Sequence, residues 1–141
     1  MAVGRILVAS DFSPGADAAL RYALELGPLL GASDLHLLHV AATSEYADFG
    51  GEVEDSVRRG LEAELAALAS RHAAASLSLR THLSAGAPAT EIVRIAQELR
   101  ADLVVMGTAG RTGLGHALMG SVAERVVRTC PCPVLTVRTP R

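Results

Sequence analysis

The chain contains no lysine and no tryptophan. Its 13 cationic side chains are all arginines, scattered along the sequence, and with 15 carboxylates they leave a net charge of -2. Gripping a phosphate backbone takes a concentrated basic face, so a nucleic-acid partner is not expected. Only Phe12, Tyr22, Tyr46 and Phe49 are aromatic, too few for a base-stacking platform. No apolar run approaches the ~20 residues that span a bilayer, so no membrane partner is expected. The opening residues Met1 to Ala9 lack a signal peptide's long apolar core and small-residue cleavage site, and the expected location is cytoplasmic. The missing lysine has a second consequence. Any phosphate held here must be held by main-chain amides, hydroxyls, arginines or a metal. Cysteine is scarce too: Cys130 and Cys132 flank Pro131 with C-x-C spacing, not the C-x-x-C of redox or zinc motifs. A disulfide across one residue would be strained, and the pair reads as small apolar residues leading into a last strand.

What is present is apolar patterning. Half of the 141 residues (14.6 kDa) are hydrophobic and the mean hydropathy is +0.31, which suits one folded domain over residues 1–141. A chain of this size buries roughly two thirds of its unfolded surface without a metal or disulfide staple. Ile6 to Ala9 and Leu103 to Met106 are apolar throughout, as in strands covered on both faces. Leu35 to Val40 reads as a further strand. Leu77, Leu79 and Leu83 alternate with polar residues, a strand with one wet face. Pro133 to Val137 begins at a proline, which an edge strand tolerates. Helical spacing links Ala16, Ala19, Leu20, Ala23, Leu24 and Gly27 after a Ser13-Pro14 start, with Gly31 as the stop. It also links Val53, Val57, Leu61, Leu65 and Leu68; Ile92, Ile95, Ala96 and Leu99 after Pro88; and Val122, Ala123, Val126 and Val127. The pattern βαβαβαβαβ specifies an α/β fold, a doubly wound parallel five-stranded sheet with helices on both faces. Right-handed crossovers with the two weak strands at the edges give the order 3-2-1-4-5. The order 2-1-3-4-5 would bury the half-polar third strand.

In such a sheet, ligands bind at the carboxyl ends of the strands where the connections diverge. Ala9-Ser10-Asp11-Phe12-Ser13 should face the stretch from Met106-Gly107 to Gly120-Ser121 there. Twelve residues, Thr108 to Met119, separate strand from helix, a length more often functional than idle. Glycines at 107, 110 and 120 permit positive φ and a close backbone approach. Gly120-Ser121 opens a helix whose first amides lack partners and whose dipole favours an anion. Ser121 is expected to cap that helix or to donate its hydroxyl to phosphate. Gly110 to Ala117 has the glycine spacing of a Walker loop, but His116 and Ala117 stand where lysine and Ser/Thr are required. Gly113-Leu114-Gly115 lacks the third glycine of a dinucleotide fingerprint. Asp11 could take a ribose hydroxyl or a magnesium ion, or cap the turn into the first helix. Val40 could offer a base an apolar side chain and backbone groups.

Gly107-x-x-Gly110, nine residues, then Gly120-Ser121 resembles the G-x2-G-x9-G-(S/T) motif of ATP-binding universal stress proteins of the UspA family. Ile6 to Ser13, Leu37 to Val40, Ala101 to Gly107, Gly120 to Val126 and Cys132 to Arg138 extend the likeness over almost the whole chain. The resemblance implies the order 3-2-1-4-5, agreeing with the pattern. It implies ATP, with or without magnesium, near Ala9, Ser10, Asp11, Val40 and Met106. Ribose would lie near Asp11 and Gly107, and phosphates near Gly110, Gly120, Ser121 and Val122. Ala109 departs from relatives that carry His or Arg there. A homodimer through the C-terminal edge strand, residues 133–138, is implied as well.

Catalysis needs a placed acid, base or nucleophile, and none stands out. Asp102 precedes its strand, at the wrong end of the sheet. Phosphoacceptor chemistry of the receiver type fails because Ser84-Ala85-Gly86 offers no Asp and there is no lysine. The sequence therefore reads as a nucleotide-responsive regulator or adaptor in stress response, with no catalytic residue and no protein metal site. A nucleotide-independent dimeric adaptor and a slow ATPase are the alternatives.

Overall fold

The computed structural model describes residues 2–42, 51–73, 77–108 and 119–138. Strands and helices alternate along the chain. They are β1 (Arg5–Ala9), α1 (Pro14–Leu30), β2 (Asp34–Ala41), α2 (Gly51–Arg71), β3 (Ser78–Ala85), α3 (Pro88–Leu99), β4 (Leu103–Gly107), α4 (Ser121–Thr129) and β5 (Val134–Val137). All pairings are parallel and the order is β3-β2-β1-β4-β5, as the strand polarity requires. Ile6, Leu7 and Val8 of β1 and Val104 and Val105 of β4 are fully buried at the centre, whereas β3 and β5 at the edges are half-buried or exposed.

Side-chain parity sorts the core into two layers. Ile6, Val8, Leu35, Leu37 and Val105 pack with Ala19, Leu20 and Ala23 of α1 and with Leu65 and Leu68 of α2. Leu7, Leu38, Val104 and Met106 pack with Ile92 and Ala96 of α3 and with Ala123 and Val126 of α4. Helices thus cover both faces. Among the described residues, no helix is long and apolar enough to cross a membrane.

The helix ends follow from their residues. The Ser13 hydroxyl accepts the Ala16 amide at 3.2 Å, with Pro14 behind it, and Gly31 closes α1 at φ 80. Pro88 likewise opens α3. At the other end of the sheet, exposed Asp102 accepts the amides of Gly4 (2.9 Å) and Arg5 (3.0 Å) through one oxygen. Those bonds, from Arg5 and then Gly4, hold its carboxyl below the usual range. This accounts for a carboxylate just before β4 and places it away from the divergence point.

Candidate functional site

Three strand ends and three helix starts meet at the carboxyl edge of the sheet. They enclose a cleft of about 240 Å³, lined by Ala9, Ser10 and Asp11 after β1, by Leu38, His39 and Val40 of β2, and by Met106, Gly107 and Thr108 after β4. Ser13 and Ala16 of the α1 entry, Pro88 and Ile92 of α3, and Gly120, Ser121 and Val122 at the α4 entry complete the wall. Of the nucleotide-site residues expected from the sequence, all but Gly110 border one space; Gly110 lies outside the described residues, together with Ala109 and His116.

The β1–α1 turn is built from local side-chain bonds. The Ser10 hydroxyl accepts the Phe12 amide (3.1 Å), and Asp11 Oδ1 accepts the Ser13 amide (3.0 Å). Asp11 thus takes its turn-capping role while standing at the mouth of the cleft. Phe12 sits at φ 64, a left-handed conformation that costs a non-glycine residue about 1 kcal/mol or more. The ring explains why it is tolerated: Phe12 packs on His39 with centroids 4.4 Å apart. His39 is buried and its Nδ1 lies 2.8 Å from the Ser10 carbonyl. A carbonyl only accepts, so Nδ1 carries the proton. The Ser10 amide in turn donates to the Leu38 carbonyl at 2.8 Å. These contacts brace the turn against β2.

The opposite wall departs from expectation in two respects. Gly120, not Ser121, is the N-cap of α4, and Ser121 is the first helical residue. Capping therefore leaves the Ser121 hydroxyl out, because a side chain inside the first turn no longer reaches the N2 and N3 amides as an N-cap does. Nor do Gly107 and Gly120 adopt positive φ: Gly120 lies at φ -64, and the positive-φ glycines among the described residues are Gly31 and Gly86. Gly107 is needed for proximity instead. A Cβ there would lie 3.0 Å from both the carbonyl carbon and oxygen of Gly15, so β4 and α1 meet backbone to backbone.

Gly120 donates its amide to the Thr108 carbonyl, which ties the α4 entry to the end of β4. The next amides, of Ser121, Val122 and Ala123, have no acceptor within the helix and border the cleft. The other side of the space is apolar: Leu38 and Ile92 are buried, and Met106 is 5% exposed. Among the described residues that line the cleft, Asp11 and His39 are the ionisable ones and no arginine is present. Nor do the described residues contain a cluster of three or more His, Cys, Asp or Glu able to hold a metal. The donor set is amides and hydroxyls facing an apolar wall, which fits an anion joined to a flat apolar group.

Ala16, Leu38, His39, Ala42, Pro88, Ile92 and Ala123 escaped the sequence reading of the site. Ile92 and Pro88 were visible as helix residues, and the crossover that brings α3 over β1 could have placed them. His39 carried no signal beyond its position next to Val40.

Residues 2–138 match the profile of the universal stress protein family. A universal stress protein of Thermus aquaticus is 37% identical over 94% of this chain and 97% of its own length. The solved structure of protein MJ0577, from Methanocaldococcus jannaschii, superposes with a TM-score of 0.88 at 28% identity, covering 100% of this chain and 99% of that one. A universal stress protein solved in complex with cAMP superposes with a TM-score of 0.76 at 25% identity, over 99% of this chain and 100% of its own. Several other curated relatives are matched over less than half of their own length. From the family profile and these full-length relatives, the chain belongs to the universal stress protein family.

Proposed function

We propose that this chain is an ATP-binding regulator or adaptor of the stress response, with the cleft between α1, α3 and α4 as its nucleotide site. One observation carries the reading: the unpartnered first amides of α4 face an apolar wall across a space that holds no cationic side chain among the described residues. Phosphates would rest on the amides of Ser121 and Val122 and on the Ser121 hydroxyl, at the positive end of the helix dipole, with Gly110 completing the loop. Adenine would lie against Ala9, Val40 and Met106 beside Ser10, and the ribose hydroxyls near Asp11 and Gly107. Magnesium, if carried, would arrive on the phosphates, as that ion usually does, rather than in a protein cage. A related protein solved with an adenine nucleotide supports the chemical class. Among the described residues of the wall, the ionisable side chains are already engaged, Asp11 with the Ser13 amide and His39 with the Ser10 carbonyl, which favours binding over turnover. β5, a half-buried edge strand, would pair with its symmetry mate through residues 133–138 in a cytoplasmic homodimer.

Thermal unfolding with and without Mg-ATP tests the site. Nucleotide at ~100 times its dissociation constant adds about 2.7 kcal/mol. Gly120→Val keeps a φ open to any residue but adds bulk where the residue lines the cleft, and should remove the gain without unfolding the chain. Absence of any shift at millimolar Mg-ATP refutes the proposal and leaves the nucleotide-independent adaptor.

A further inference from the structure

Cys130 and Cys132 lie where α4 ends and β5 begins, at the end of the sheet opposite the cleft. Both are free and half-buried, and their sulfurs stand 3.5 Å apart. The segment is held from both sides. The Cys130 amide donates to Val126 of α4 at 2.8 Å, and the Pro133 carbonyl accepts the Val104 amide of β4 at 3.0 Å. Between these anchors Pro131 has a fixed φ, so the fold presents the two sulfurs already facing one another. A bond between them requires closure from 3.5 Å to ~2.05 Å.

We propose that Cys130 and Cys132 are a reversible dithiol–disulfide pair that exchanges with low-molecular-weight disulfides. Burial, and next the hydrogen bond to Cys130, push the Cys132 thiol up to about 12, which disfavours Cys132 as the first attacking sulfur and leaves that role to Cys130. The Cys130 thiolate attacks one sulfur of a small disulfide RS–SR. A Cys130–SR bond forms, the RS–SR bond breaks and one RS⁻ leaves. Cys132 then gives its proton to solvent and attacks the Cys130 sulfur, expelling the second RS⁻. Two protein thiols are oxidised to one disulfide, and RS–SR is reduced to two thiols. A ring closed across a single residue is strained, so this bond belongs with the easily reduced, regulatory disulfides rather than the structural ones.

The full chain is equilibrated in a series of reduced and oxidised glutathione mixtures, quenched with acid, alkylated and weighed intact. The folded chain should lose both alkylatable thiols as a monomer lighter by two hydrogens, and dithiothreitol should restore them. Half-oxidation should need a glutathione disulfide fraction at least about tenfold lower than for the same chain in guanidinium, because the fold holds the sulfurs together. Cys132→Ser should stop at a glutathione adduct on Cys130. Thiols that stay alkylatable across the series, equal oxidation of folded and unfolded chains, or disulfides only between chains would each overturn the proposal.

Discussion

Replacing Gly107 by alanine separates the packing role of that residue from any role toward a ligand. The added methyl would sit 3.0 Å from the Gly15 carbonyl carbon and oxygen and 3.4 Å from the Ala16 amide nitrogen. Comfortable carbon contacts begin near ~3.5 Å, so strand and helix must part by about half an ångström. The obstacle is backbone and cannot rotate away. β4 cannot retreat sideways either, since Gly107 pairs with Val137 and the Thr108 amide donates to the Val137 carbonyl. α1 is fixed by buried Ala16, Ala19, Leu20 and Ala23. Overpacking of this kind costs about 1–3 kcal/mol. For a chain of this length, that lowers the melting temperature by about 3–10 °C. Urea unfolding of the nucleotide-free protein, followed by circular dichroism, measures it as a lower midpoint at unchanged slope. A Gly107→Ala variant within about 0.5 kcal/mol of the parent would show that glycine is not there to let the two backbones meet.

Gly60 makes the opposite case, for nothing lies within 4 Å of a Cβ there and it sits exposed inside α2. Gly60→Ala should therefore raise stability by about 0.8–1 kcal/mol in the same urea assay, and no gain would contradict the helical geometry. On the other face of the sheet, His36 Nδ1 and His82 Nε2 share a hydrogen bond of 2.8 Å. Burial holds both imidazoles below their ordinary value, with each other's proximity adding for His36 and Arg80 for His82. The unfolded chain therefore takes up more protons than the folded one below the ordinary histidine pKa. Stability is complete above that value, roughly 6.5, and falls as pH drops toward the folded values. Comparing urea midpoints at pH 7.5 and 5.5, His82→Gln should flatten the slope; an equal slope in parent and variant would dismiss the pair as its source.

The strand order was legible because burial leaves a one-dimensional trace: Ile6 to Ala9 and Leu103 to Met106 run apolar, while Leu77 to Leu83 alternate. The cleft was legible for a related reason, since its residues sit at the ends of those strands. Contacts that depend on register were not. His36 meets His82 because Leu38 pairs with His82 and His36 with Arg80, a one-step diagonal no periodicity encodes. His39 braces Ser10 through parity and turn geometry together. Glycine gave its location but not its reason: a positive φ and a close approach select the same residue, and only the Gly15 contact tells them apart.

Asp102 also ties the two central strands together at the end of the sheet away from the cleft. By accepting both Gly4 and Arg5, it rivets the lower ends of the two central strands, while their upper ends carry the diverging turns. A slip of β1 along β4 would break both bonds at once. The clamp holds the register of the two strands at the end away from the cleft, like tongs pinned at the handle.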